Sequence, residues 1–255
     1  MKKILMSLAI TLSVSFFAQN VSDLKFTTFI ADTENSYVVF NKKDTDVKYS
    51  YGFVYFDEFA GYSFRSLGSF VADKGVLKIG EPEEWEKTSM MVSRIGNFGL
   101  KVAKLDNDFL KKINLPVEPD WLKNYKSSAP ENEKIVKRAS RLNGFNYPQL
   151  ALPRLQKLYD NNYKSTDLFF ELSFSYNALR DFTNAEKYSK EGINLKMSND
   201  NLFKEHIYAL LNQKKAKEAD VFLTKNLTTI KDNNAKIEAV NNMVAYCAQI
   251  NEIDI

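Results

Sequence analysis

Residues 168–195 read LFFELSFSYNALRDFTNAEKYSKEGINL, and two helices are written into them. Phe169, Leu172, Ser173 and Tyr176 recur at three- and four-residue steps, so they share one side of the first helix. Ala185, Tyr188, Ser189 and Gly192 do likewise on the second, where Ala185 and Gly192 are small enough to let the helices approach closely and Phe182 fills the gap at the turn. Arg180-Asp181-Phe182 makes that turn. Thr183 is the expected N-cap, with Glu186 three residues on completing a capping box.

Outward from this unit the pattern recurs. Ala151, Ala185 and Ala219 stand 34 residues apart, a period that marks stacked helix-turn-helix units burying their apolar faces against one another and leaving a concave surface free. The expected helices pair as Glu131 to Asn143 with Pro148 to Asn161, Thr166 to Leu179 with Thr183 to Lys196, and Asp200 to Gln213 with Ala216 to Leu227. A last helix spans Asn233 to Gln249. Pro153 falls inside the second of these helical patterns, that of the first unit, and predicts a kink or a later start there.

Residues 168–195 resemble the tetratricopeptide repeat: Leu172, Ser173, Tyr176, Ala185 and Gly192 stand where that family places its leucine, small residue, tyrosine and two small packing residues. In the next copy Phe203, Leu210, Ala219 and Leu223 fit, while His206 takes the place of the leucine and Asn226 that of the second small residue. In the first copy Arg138 stands in the leucine place. The resemblance covers residues 130–255 and implies a short solenoid whose inner groove is presented to a peptide or a partner protein. With the packed side of each first helix assigned, helix geometry puts the opposite side in the groove. These positions are Glu133, Val136, Ser140 and Asn143; then Asp167, Phe170, Phe174, Asn177 and Ala178; then Asn201, Lys204, Tyr208, Leu211 and Asn212. Of them Phe170, Phe174, Tyr208 and Leu211 would form an apolar floor, and Asn177, Lys204 and Asn212 polar fixings for an extended backbone. The competing reading packs these aromatics on the last helix or on the N-terminal half. The family's clamp for terminal carboxylates needs several basic groove residues, and Lys204 is the single one here.

The N-terminal half has another texture. From Leu24 to about Lys104, Tyr, Phe, Val and Ser alternate in short runs broken by Gly, Asn and Asp, which is strand patterning. In Val47 to Phe56 the side chains of Tyr49, Tyr51, Phe53 and Tyr55 fall on one face; residues 57–61 turn, and Tyr62, Phe64 and Ser66 begin a return strand. Further runs at 25–31, 37–41, 69–72, 76–79, 89–95 and 99–103 give six to eight strands and a small antiparallel sheet, sandwich or half-barrel. Residues 113–129, stiffened by Pro116 and Pro119, read as a linker that Trp121 pins to one domain; the alternative for Trp121 is a stacking platform. This half is similar to the β-domain that precedes such repeats in exported bacterial proteins. The fold class is therefore α+β, with residues 19–112 forming the β-rich domain and 130–255 the helical one.

Lys2 and Lys3 precede an uncharged stretch from Ile4 to Phe17 that closes at Ala18, the pattern of a cleaved secretory signal over residues 1–18. It is shorter than the roughly 20 residues a spanning helix needs, so a periplasmic or secreted protein without a permanent membrane anchor is expected. Removing those residues takes away two lysines and no acids, leaving 33 basic against 32 acidic side chains. A near-neutral chain with alternating charges excludes nucleic acid as a partner.

The sequence shows no catalytic constellation, although its 32 acids leave open a paired-carboxylate glycosidase, since spatial proximity is not written in sequence. His206 is the sole histidine, and multi-histidine zinc sites are thereby excluded; it reads as a core residue satisfied by a neighbour. Cys247 is the sole cysteine and reads as a structural thiol. In Gly61-Tyr62-Ser63-Phe64-Arg65, arginine stands where a nucleophile elbow needs glycine. Asp44-Thr45-Asp46 and Asp106-Asn107-Asp108 lack the glycine and distal glutamate of a calcium loop and read as turns. The expectation is a non-enzymatic interaction module with no metal or cofactor. The alternative makes the β-domain a carbohydrate- or envelope-binding module through Tyr49, Tyr51, Phe53 and Tyr55, with the helices as spacer, although the same row also fits a core.

Overall fold

The structure, a computed structural model, describes residues 20–197 and 199–250, the side chains of Trp85 and Ile250 excepted. The expected signal segment, residues 1–18, lies outside the described residues. The fold is α+β, a curled antiparallel sheet followed by helices. Two compact units divide it. Among the described residues, the first takes in the chain up to Tyr55, Phe64–Ser93 and Lys101–Leu122; the second takes in Phe56–Ser63, Arg94–Leu100 and the chain from Lys123 on.

Seven strands are described: β1 (Thr28–Phe29), β2 (Ser36–Phe40), β3 (Lys48–Asp57), β4 (Gly61–Asp73), β5 (Val76–Ile79), β6 (Val92–Arg94) and β7 (Lys101–Lys104). They lie in the order β1-β7-β2-β3-β4-β5, with β6 on β4. Two expected strands change. The run at 25–31 shrinks to two residues because Ile30–Asp32 coils into a 3-10 turn, closed by the Thr33 hydroxyl donating to Ile30 O at 2.8 Å. The runs at 62–66 and 69–72 fuse into the single long β4.

The aromatic row of β3 is core. Tyr49, Tyr51, Phe53 and Tyr55 are all buried. Tyr51 stacks on Phe70 at 4.2 Å, Phe53 meets Tyr37 edge-on at 4.8 Å, and Trp121 sets its edge against both Phe53 and Tyr55. Aromatic pairs in these geometries each add about 1 kcal/mol to the area term. The row therefore offers nothing to a sugar. Trp121 is likewise engaged, with the Arg65 guanidinium 4.5 Å over its ring, so it fastens the linker to the sheet. Gly52 sits between them in β3 because a Cβ there would come 2.1 Å from Arg65 O and 2.5 Å from the Phe64 ring.

Short helices α1 (Glu84–Thr88) and α2 (Asn107–Lys112) follow β5 and β7. Asp106 caps α2 through Phe109 N at 2.7 Å, and the Asp46 carboxylate accepts from Lys43 N, so both acidic triplets are turn chemistry.

The helices from Pro130 on are α3 (Glu131–Gly144), α4 (Pro148–Asp160), α5 (Thr166–Ala178), α6 (Phe182–Asn194), α7 (Asp200–Asn212), α8 (Ala216–Asn226) and α9 (Asn233–Ile250). Each packs on the next, and α3, α5, α7 and α9 also touch in succession. The period is visible in the backbone. Left-handed residues close the turn within each unit at Asn146, Arg180 and Lys214, and the turn between units at Asn162 and Lys196; both series step by 34. Such a residue ends a helix by letting following amides reach back to its last carbonyls.

The Thr183 cap fails as an expectation, and so does the later start of the helix holding Pro153. α6 begins at Phe182, capped by the Asp181 carboxylate, which accepts from Asn184 N at 3.2 Å and from its side-chain amide at 2.7 Å. Thr183 is thus inside the helix, and Glu186 turns instead to Gln213 and Lys215. Pro153 does not delay α4: Pro148 supplies the first helical residue, where a missing N–H costs nothing, and the helix continues through Pro153. The close approach of α6 holds as expected, since a Cβ on Gly192 would stand 2.8 Å from Phe169 Cβ and 2.9 Å from Leu202 Cδ2.

Candidate functional site

The first helices α3, α5 and α7 are joined by a polar pair that repeats with the period. Asn143 Nδ2 donates to Glu171 O at 3.3 Å and to Glu171 Oε2 at 2.7 Å; one unit on, Asn177 Nδ2 donates to Glu205 O at 3.0 Å and to Glu205 Oε2 at 2.8 Å. All four residues are buried. In each joint the amide thus ties the neighbouring helix through both its backbone and its carboxyl. Burial pushes both glutamate carboxyls above the usual range, opposed at Glu171 by hydrogen bonds from Ser140 and Asn143 and at Glu205 by that from Asn177.

Beside these joints the first helices line hollows on the side away from α4, α6 and α8. The larger, about 860 Å³, brings together Glu133, Val136 and Ser140 of α3, Asp167 and Phe170 of α5, and Asn201 of α7. These are groove positions derived from three successive units, and they meet in one place. A second hollow of about 260 Å³ holds Phe174, Asn177, Ala178, Lys204 and Tyr208 with Glu238 and Asn242 of α9. A third, about 190 Å³, adds Leu211 and Asn212.

The expected contact residues fare differently within these hollows. Phe170 and Phe174 are half-buried, their rings 6.2 Å apart, and Tyr208 is 39 % exposed. They remain accessible as an apolar surface. Leu211 lines the third hollow but offers it little area, being buried in a cluster with Ile207, Ala219, Leu223 and Ala239. Asn177 is a joint and not a fixing, its amide already committed to Glu205. Lys204 is ion-paired with Glu238 at 2.6 Å, so the charge needed for a carboxylate clamp is neutralised. Asn212 is exposed and donates to Tyr208 O at 2.9 Å.

The joints were half legible. Helix geometry places Asn143 and Asn177 on the groove side, whereas the 3.6-residue pattern assigns nothing to Glu171 and Glu205. Their own spacing of 34, matching that of the asparagines, is the signal that singles them out.

His206, Cys247 and Ser63 are engaged in packing and hydrogen bonds. His206 is buried, its Nδ1 2.8 Å from Ser189 Oγ and its ring 4.5 Å from Phe222, and burial lowers its pKa to about 4. Cys247 packs against the apolar cluster of α7, α8 and α9. Ser63 is buried in β4, donates to Gly61 O at 2.9 Å and accepts from Arg94. Among the described residues no group of three or more His, Cys, Asp or Glu is arranged to hold a metal ion, and no helix is long and apolar enough to cross a membrane.

No protein-family profile matches this chain, and no curated protein matches it either.

Proposed function

We propose that the helical unit is a tetratricopeptide-like array in an exported, non-enzymatic protein, and that the hollowed side of its first helices binds an extended peptide or a segment of a partner protein. One observation carries this reading: groove positions derived from three units by the 34-residue period converge on one accessible hollow. Phe170 supplies apolar area and Asn201 an amide there, while Phe174 and Tyr208 supply apolar area in the second hollow and Asn212 an amide in the third, for a peptide backbone running along the groove. The carbohydrate-binding alternative loses its contact row to the sheet's core and is not pursued.

Panning a displayed library of random heptapeptides against the chain from residue 20 tests this. The reading expects peptides that bind the parent and are lost on the double substitution Phe170→Ala and Tyr208→Ala, with the far-ultraviolet spectrum unchanged. Recovery of the same peptides by both proteins would count against it.

A further inference from the structure

We propose that the larger hollow, between α3 and α5, takes a lysine or arginine side chain, so that the peptides bound are basic; this rests on the groove reading above. Glu171 stands in its wall, 6 % exposed, with Asn143 behind its carboxyl. Asp167, one turn earlier on α5, and Glu133, at the matching position of α3, line the same hollow and are exposed to solvent, with no ion-pair partner among the described residues. The lysines that share the hollow are already engaged, Lys137 with Glu58 at 2.5 Å and Lys134 with Glu131 at 3.5 Å. Negative charge is thus left over at this end of the groove, in a chain that is otherwise nearly neutral.

A cation fits this surplus for three reasons. It relieves the repulsion between Asp167 and Glu171, which lie four residues apart on one helix face and would otherwise oppose each other. It also offsets the desolvation of Glu171, because an opposite charge gains most where water is partly excluded. The half-buried ring of Phe170, between those two acids in sequence, offers an aromatic face to the aliphatic stem and to the charged head. The neighbouring hollow has none of this surplus, since Lys204 and Glu238 cancel, and its Phe174 and Tyr208 suit an apolar side chain instead. The occupant is therefore a segment carrying a basic residue followed or preceded by an apolar one.

The test uses the recovered heptapeptides and the full chain. Their sequences should be enriched in lysine or arginine beside an aromatic or aliphatic residue. Asp167→Asn with Glu133→Gln, both exposed and not needed for packing, should weaken a basic peptide by about tenfold at low salt, measured by fluorescence anisotropy. The same pair should leave unchanged the affinity of an analogue with norleucine in place of the lysine. Peptides that need Phe170 and Tyr208 yet carry no basic residue, or that bind the acid-depleted variant equally, overturn the basic preference while the groove reading survives. Peptides indifferent to Phe170 and Tyr208 overturn both.

Discussion

Two joints in the helical unit share a design and differ in the hydroxyls that complete it: Ser140 and Ser175 serve the first, and neither has a counterpart in the second. Between α3 and α5, Asn143 uses its whole amide: Nδ2 donates to Glu171, and Oδ1 accepts from the Ser175 hydroxyl at 3.0 Å. Between α5 and α7, Asn177 makes the same donations to Glu205, but its Oδ1 is buried without a hydrogen-bond partner. The residue 34 beyond Ser175 is Ala209, fully buried on α7. The comparison separates what the two units share from what they do not. The asparagine–glutamate link persists in both joints, whereas the hydroxyl that completes it has lapsed in one, at a cost of about 1–2 kcal/mol for a buried acceptor left unpaired.

The largest test removes each link. Asn143→Ala leaves the buried Glu171 carboxyl with the Ser140 hydroxyl alone and strands the Ser175 hydroxyl, and should lower stability by about 4 kcal/mol. Asn177→Ala strands Glu205 alone and relieves an unpaired acceptor, so its loss should be smaller by about 1 kcal/mol. Urea denaturation of the two variants measures the gap, and equal losses would mean that the Oδ1 difference has no energetic weight.

The second sharpens the contrast between units through protons. His206 stands where the preceding unit has Leu172, among Glu186, Lys190, Lys215 and Ser189. With its pKa lowered to about 4 in the folded chain, the unfolded chain binds a proton between that value and about 6.5 that the folded chain does not. Its contribution is complete above about pH 6.5 and is lost as pH falls toward about pH 4, amounting to about 3 kcal/mol. Glu171 and Glu205, raised by burial, act in the opposite sense, favouring the folded state at low pH. His206→Leu leaves those carboxyls in place, so the difference between parent and variant isolates the imidazole. The parent should weaken more steeply than the variant over that window in urea titrations, and parallel pH profiles would show that His206 titrates normally.

The smallest effect repairs the weaker joint. Ala209→Ser restores the donor that Ser175 provides one unit earlier and should raise stability by about 1 kcal/mol, provided the hydroxyl reaches Asn177 Oδ1 as its counterpart does. A fall in the urea midpoint would show that the site is too tightly packed for the oxygen.

Much of this was legible from particular residues. Alternation in β3 and the three- and four-residue steps of α5 and α6 follow from burying one face, so their helices and strands appear within a residue or two of where the pattern puts them. What the pattern could not show was tertiary choice. Asp181 and Thr183 are both good caps, and the backbone turn at Arg180 decides between them. Arg180, Lys196 and Lys214 hold left-handed positions that their side chains do not advertise, because asparagine at the matching sites, Asn146 and Asn162, is the residue that tolerates them best. Leu211 shares a helix face with Tyr208 yet goes into the core, since α9 comes to lie over it. The hollow beside Glu171 depended on which lysines find partners, and Glu58, distant in sequence, takes Lys137.

The most direct test of the groove is hydrogen exchange of the chain with and without a recovered basic heptapeptide. Protection is expected in the first helices, over residues 131–143, 166–178 and 200–212, with α4, α6 and the strands unchanged. Protection confined to the strands or to the second helices would contradict the account.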